Sequence, residues 1–281
     1  MRITRLLGIP LLALWTVVNA GLLVWVAITS FRDGSEIFSK PLALPSSVDF
    51  HTYAGAWSSS ALGVGFANSA LLVSTAAVTT VALAAPAGYA LARTRVRTAG
   101  PITTLFAVGM GIPVQIIVIP LWVLMHHISS AMYEAVGWWD DRISLYLLYV
   151  ATSLPFAVFL LTGFFRSLPS ELEEAATVDG AGGLLTFRRI MLPLARPGMV
   201  TALLMTSLGL WNETLLALVF ITDDDKYTLP QSLLGLYGTM QYTSNWGGLF
   251  AGIVIVVLPM LVVYGLLGRR VVEGMTLGAG R

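Results

Sequence analysis

The sequence predicts an all-α, polytopic membrane protein, and three observations carry that prediction. Of 281 residues, 56% are hydrophobic and 11% charged, with a mean hydropathy of +0.80, which leaves too little polar surface to coat a water-soluble globule. The apolar residues gather into six runs, each long enough to supply the roughly 20 helical residues that cross a hydrocarbon core. The connecting segments alternate between arginine-rich and arginine-poor, as they do when a chain threads back and forth through a bilayer.

Taken in order, the first predicted span is 11–30, which follows Met1-Arg2-Ile3-Thr4-Arg5. Its apolar run exceeds the core of a cleaved signal peptide and reads as an uncleaved anchor. The remaining spans are expected near 65–92, 102–125, 143–165, 197–221 and 246–267. Pro86, Pro113, Pro120, Pro155 and Pro259 are expected to kink them. A first loop, 31–64, holds Phe50, Tyr53 and Trp57; a third, 126–142, holds Tyr133, Trp138 and Trp139; a fifth covers 223–245. Trp138, Trp139 and Trp246 suit the interfacial belt. Without an internal repeat or a second polar domain, 1–281 is expected to be a single transmembrane domain.

Basic residues set the expected orientation. Arg2, Arg5, Arg93, Arg95, Arg97, Arg166, Arg188, Arg189, Arg196, Arg269, Arg270 and Arg281 fall on one side, and Arg32, Lys40, Arg142 and Lys226 on the other. Twelve against four puts both termini and the loop 166–196 in the cytoplasm. Flanked by membrane on both sides, Arg93-x-Arg95-x-Arg97 reads as a topology anchor, not a nucleic-acid site.

That loop is the most informative stretch. Ser170 followed by Glu173 has the spacing of a capping box, and Leu172, Ala175, Ala176 and Asp179 continue at helical intervals. Gly180 supplies a positive-φ stop. After Gly182-Gly183 a second helix, Thr186 to Met191, is expected to end at Leu192-Pro193. The product is a helix-turn-helix facing water. Small Ala175 and Ala176 permit close approach by a partner, and Glu174 offers a carboxylate to a basic group.

Other chemistry is excluded or weak. The chain has no cysteine, so disulfides, thiolate metal sites and thiol catalysis are ruled out. Neither lysine, Lys40 or Lys226, follows a glycine, so no Gly-Lys-Ser/Thr phosphate loop exists and any ATP hydrolysis of that type belongs to another chain. His51, His126 and His127 lack the partners a metal site needs, and no nucleophile–base pair suggests an enzyme. Within the predicted spans the one acidic residue is Glu213; a charge near a helix centre costs about 2.5–3.5 kcal/mol, so it should face protein or water. With Trp211 as a flat apolar face and Asn212 as a hydrogen-bonding group it makes a substrate-path candidate, and packing against a partner chain is an equal alternative. Gln115, between Pro113 and Pro120, is a lesser path candidate.

Glu174-Ala175-Ala176-x3-Gly180-x9-Ile190-x-Leu192-Pro193 resembles the EAA loop of permease subunits in bacterial ABC importers. The resemblance extends along nearly the whole chain to the smaller permease of carbohydrate importers of the maltose and multiple-sugar type. It is carried by Tyr53-x3-Trp57, Asn68-Ser69, Gly88-Tyr89-Ala90-Leu91-Ala92-Arg93, Leu154-Pro155, 164–169, Trp211-Asn212-Glu213, Tyr227-Thr228-Leu229-Pro230 and the tail Arg269-Arg270 with Gly274-Met275-Thr276-x-Gly278-Ala279. It implies a six-helix permease of the type I ABC importer fold in the bacterial inner membrane, importing a sugar without itself being an enzyme. It also implies a second permease subunit, an ATPase dimer that holds ATP and magnesium, and an extracytoplasmic sugar-binding protein. Glu174, Ala175, Ala176, Asp179, Gly180, Phe187, Ile190, Leu192 and Pro193 would then form the coupling helix and its support on the ATPase. A polyamine or phosphate permease is the runner-up. A secondary transporter would need ionisable residues in several spans.

Overall fold

A computed structural model describes residues 2–32, 34–59, 61–93 and 99–279. Arg95, Arg97 and Arg281 and the side chains of Arg2, Arg5 and the tail motif from Arg269 onward lie outside the described residues. The described structure is all-α: α1 Arg2–Thr29, α2 Gly34–Ser39, α3 His51–Ser59, α4 Leu62–Arg93, α5 Ala99–Met110, α6 Val114–Val136, α7 Asp141–Ser167, α8 Glu171–Val178, α9 Gly183–Thr186, a π turn Phe187–Met191, α10 Leu192–Leu194, α11 Arg196–Trp211, α12 Leu215–Phe220, α13 Leu229–Thr243 and α14 Trp246–Ala279. Five of these helices are long and apolar enough to cross a membrane, or six if α9 to α10 and α11, which meet at 70°, count as one.

The chain packs as two compact units, 1–66 with 229–261, and 67–228 with 262–281. In the first, Trp25 meets Phe250 edge-on at 5.6 Å, and Phe31 meets Phe50 edge-on and Tyr53 at a tilt. Arg32 is buried, and its guanidinium donates to the carbonyls of Glu36 at 2.8 Å and Lys40 at 2.6 Å. It thereby caps α2 and satisfies C-terminal carbonyls with a fixed positive charge. The expected loop 31–64 thus contains two short helices.

The second unit is organised on α7, which packs against α5, α11 and α12. Its buried centre joins Val81, Ala84 and Ala85 of α4, Ala157, Val158, Leu161, Phe164 and Phe165 of α7, Met191, Ala195 and Ala202. Small residues let these helices approach closely. A Cβ at Gly198 would lie 2.5 Å from the Phe164 ring, so only glycine fits between α11 and α7.

Three expected elements depart from the sequence reading, each for a local reason. The third span is two helices with a gap at 111–113: Pro113 has extended ψ of 130° and begins a new helix, because it has no N–H to give and pushes the preceding residue out of the α region. From there α6 runs on through most of the expected loop 126–142, whose Ala, Met and Glu favour helix, until Gly137 at φ +81° donates to the Tyr133 carbonyl and stops it. The fifth span is α11 and α12, separated at 212–214.

Candidate functional site

Helix α8 is bounded by the signals read from the sequence, although one of them works differently. At its C-terminus Gly180 has φ +79°. Its N–H donates to the Thr177 carbonyl at 3.0 Å, and the Ala181 N–H to the Ala176 carbonyl at 2.9 Å, a complete Schellman closure. At the N-terminus the capping box does not form. Ser170 takes α-region angles and makes no side-chain cap, so its hydroxyl is turned away from the N–H groups it should accept from.

Glu173, the other half of that box, points to α4 instead. Its Oε1 accepts from the Tyr89 hydroxyl at 2.6 Å, and its Oε2 lies 2.7 Å from Nε of Arg93. The latter contact falls off the N–H direction, so it is a Coulombic pairing more than a directed bond. A terminal nitrogen of Arg93 donates to the Leu168 carbonyl at 2.9 Å. The Tyr89 ring sits 5.5 Å from Phe165 and 4.9 Å from Phe187. A fixed cation outcompetes one backbone N–H for the carboxylate, which explains the lost box.

Opposite the clamp, α8 is bare. Glu174, Ala175, Val178 and Asp179 are exposed, Val178 at 88%, while Ala176 is buried. Of the two small residues expected to admit a partner, Ala175 is exposed and Ala176 packs inside the chain. Leu184, 71% exposed, and Leu185 extend an apolar surface beyond Gly180. Phe187 and Ile190 are half-buried, and the second helix neither starts at Thr186 nor ends at Pro193. It begins at Gly183, passes through the π turn and ends at Leu194. The Leu192 N–H reaches the Phe187 carbonyl, and this wider turn accommodates Pro193, which has no N–H of its own.

At the break in the fifth span, Trp211 ends α11 and is 7% exposed. Asn212 is exposed and its amide folds back onto the Leu208 carbonyl at 2.9 Å. Glu213 receives the backbone N–H of Leu216 at 2.8 Å and of Ala217 at 3.3 Å, and the Tyr149 hydroxyl of α7 lies near the same carboxylate. The Glu213 charge is met by protein donors of its own chain. Asn212 and Glu213 both lie beyond the end of α11. Gln115 is exposed at the start of α6, and its side chain makes no hydrogen bond among the described residues. It is absent from the lining of a neighbouring apolar groove of about 450 Å³ formed by residues including Met110, Val114, Leu148 and Pro155.

A polar knot closes the opposite end of α4. Asn68 donates to the carbonyls of Asp225 at 3.1 Å and Tyr227 at 3.0 Å and accepts from Arg142 at 3.3 Å. Arg142 also clasps Asp140 at 2.8 Å. The hydrogen bonds from Arg142 hold the Asp140 carboxyl below its ordinary range.

Residues 83–275 match the family model described as binding-protein-dependent transport system inner membrane component, a stretch that includes the clamp, α8 and the break. The chain belongs to this family. Among relatives of this transport component, a diacetylchitobiose uptake system permease protein of Streptomyces coelicolor is 37% identical, over 96% of this chain and 87% of that one. A trehalose transport system permease protein of Mycobacterium tuberculosis is 31% identical, over 91% and 90%. A bacterial ABC transporter involved in the import of the acidic polysaccharide alginate shares the fold, at a TM-score of 0.75 and 22% identity, over 96% of this chain and 98% of that one. Family membership makes the chain a multi-pass transport component and not an enzyme.

Tyr89, Arg93 and Glu173 all stand in or beside the sequence motifs, yet nothing in the motifs joins them. A partial signal exists: Tyr89 and Arg93 are one turn apart on one face, and an acidic helix follows. No sequence feature pairs Tyr149 with Glu213.

Proposed function

We propose that this chain is a permease subunit of an ATP-driven carbohydrate importer, forming the translocation path with a second permease. An ATPase dimer on other chains hydrolyses ATP, and an extracytoplasmic binding protein delivers the sugar. The supporting observation is the display of α8: a short helix capped at one end, clamped on one face and bare on the other, where Glu174, Ala175, Val178 and Asp179 await a partner. In this reading α8 is the coupling helix, with Phe187, Ile190, Leu192 and Pro193 as its support. The arginine distribution favours a cytoplasmic location for this loop and both termini. The uptake of diacetylchitobiose and trehalose named for two relatives supports a sugar as cargo.

At the 212–214 break the exposed Asn212 is the group available to a passing hydroxyl. Glu213 bridges the break to the start of α12 from within the chain. Opening and closing follow from ATPase closure carried through α8.

The test is uptake into cells that express this chain with its partner subunits, using labelled diacetylchitobiose, trehalose and maltose. ATP-dependent accumulation of a sugar that the others compete for is expected. Accumulation of spermidine or phosphate, with none of the sugars, would sink the carbohydrate reading.

A further inference from the structure

We propose that Tyr89 and Arg93 are positioning residues that bind α8, the π turn and α4 into one rigid lever, so that a push on α8 is delivered along α4 to the segment 223–228. The inference rests on α8 being the ATPase contact, and it assigns the intramolecular half of coupling to residues outside the EAA loop.

Four observations converge. Helix α8 has eight residues, far below the roughly 12–15 that hold together in isolation, so its position is imposed by what grips it. Two side chains one turn apart on α4 supply three grips: a hydroxyl and a guanidinium on the Glu173 carboxylate, and that guanidinium on the Leu168 carbonyl, at 2.6, 2.7 and 2.9 Å. The two ionic side chains are each 20% exposed, so water and salt screen them less than a surface pair. The Tyr89 ring, lodged against Phe165 and Phe187, adds the end of α7 and the π turn to the same body.

Geometry separates this grip from the docking face. Glu173 and buried Ala176 share the side of α8 that faces α4, whereas Glu174, Ala175 and Val178 project away. A partner can therefore seat on α8 without competing for the clamp. From Arg93, α4 runs about 37 Å at 1.5 Å per residue to Asn68, which is 8% exposed and holds the backbone of Asp225 and Tyr227. One helix thus grips a loop at each end.

Because the chain has no cysteine, rigidity can be read directly. Spin labels on Ala90→Cys and Ala175→Cys in the purified chain should give a narrow distance distribution. Arg93→Ala or Glu173→Gln should broaden it at least twofold, and the exchange Arg93→Glu with Glu173→Arg should narrow it again. Equal widths in wild type and single variants would overturn the proposal. In proteoliposomes with the partner subunits, binding protein and a mixture of diacetylchitobiose, trehalose and maltose, the single variants should lose about tenfold in binding-protein-stimulated ATP hydrolysis per assembled complex. The exchange should recover most of it. Wild-type stimulation per complex in Arg93→Ala, with only the yield reduced, would make the contacts purely structural. Failure of the wild type itself to associate with the ATPase would count against the transport reading, and the label widths would still decide the clamp.

Discussion

At the scale of single residues, Gly180 and Asp140 show how one backbone angle or one carboxylate fixes a larger piece. Gly180 occupies φ +79° in open space, with nothing within 4 Å of where a Cβ would stand, so the cost of Gly180→Ala is conformational, about 1–2 kcal/mol, and not steric. We expect that variant to insert normally yet to loosen α8, with a several-fold fall in stimulated ATP hydrolysis; Gly180→Val, β-branched, should lose more. Unchanged hydrolysis in both would separate the turn from coupling. Asp140 accepts the Arg142 N–H at the start of α7, and its carboxyl is held low by Arg142. A group with a depressed folded value stabilises above the ordinary carboxylate range, near 4, and loses that contribution as pH falls through the folded value. Melting of the purified chain between pH 6 and pH 3 should therefore drop less steeply for Asp140→Asn than for wild type; parallel curves would remove the pair from the stability argument.

At the scale of elements, the sequence is most legible where a single residue type dictates the backbone. Gly180 calls for a positive angle and has one, and α8 lies where its apolar and small residues recur. Legibility is lowest where two partners compete. Ser170 and Glu173 have a capping spacing, but local spacing cannot reveal that an arginine from a distant helix holds the carboxylate. The fifth span reads as one apolar run, yet three consecutive polar residues, Asn212, Glu213 and Thr214, each find a bond that ends or restarts a helix. Such side-chain bonds are invisible to hydropathy. The break itself is testable. Glu213→Gln keeps an acceptor for Leu216 and should retain complex yield, whereas Glu213→Leu removes it and should cost yield. Asn212→Leu, which leaves both carboxylate bonds intact, should change uptake rate or sugar preference at normal yield; normal uptake in that variant would take Asn212 off the path.

At the scale of the whole molecule, fold class and family are legible because hydropathy and motif order are global properties that survive local errors in helix ends. Orientation is read by labelling: with single cysteines at Ser170 and Ser244, a membrane-impermeant thiol reagent on intact cells should label Ser244→Cys and spare Ser170→Cys, and the reverse pattern would invert the chain. The Glu213 carboxylate also bears on how this protein is made. Its donors come from α12, which starts beside the carboxylate, and the Tyr149 hydroxyl of α7, a helix synthesised earlier, lies near it. A ribosome-borne fifth segment entering alone would carry into lipid a charge met only by its own two backbone N–H groups, against a cost of about 2.5–3.5 kcal/mol for a bare charge; entering beside an already seated α7, it finds a hydroxyl nearby. Biogenesis should therefore be sequential and hierarchical, with the fifth segment leaving the translocon late and in company. A glycosylation-reporter assay should show poorer insertion of 197–221 when Tyr149 is phenylalanine, and Glu213→Leu should abolish that dependence.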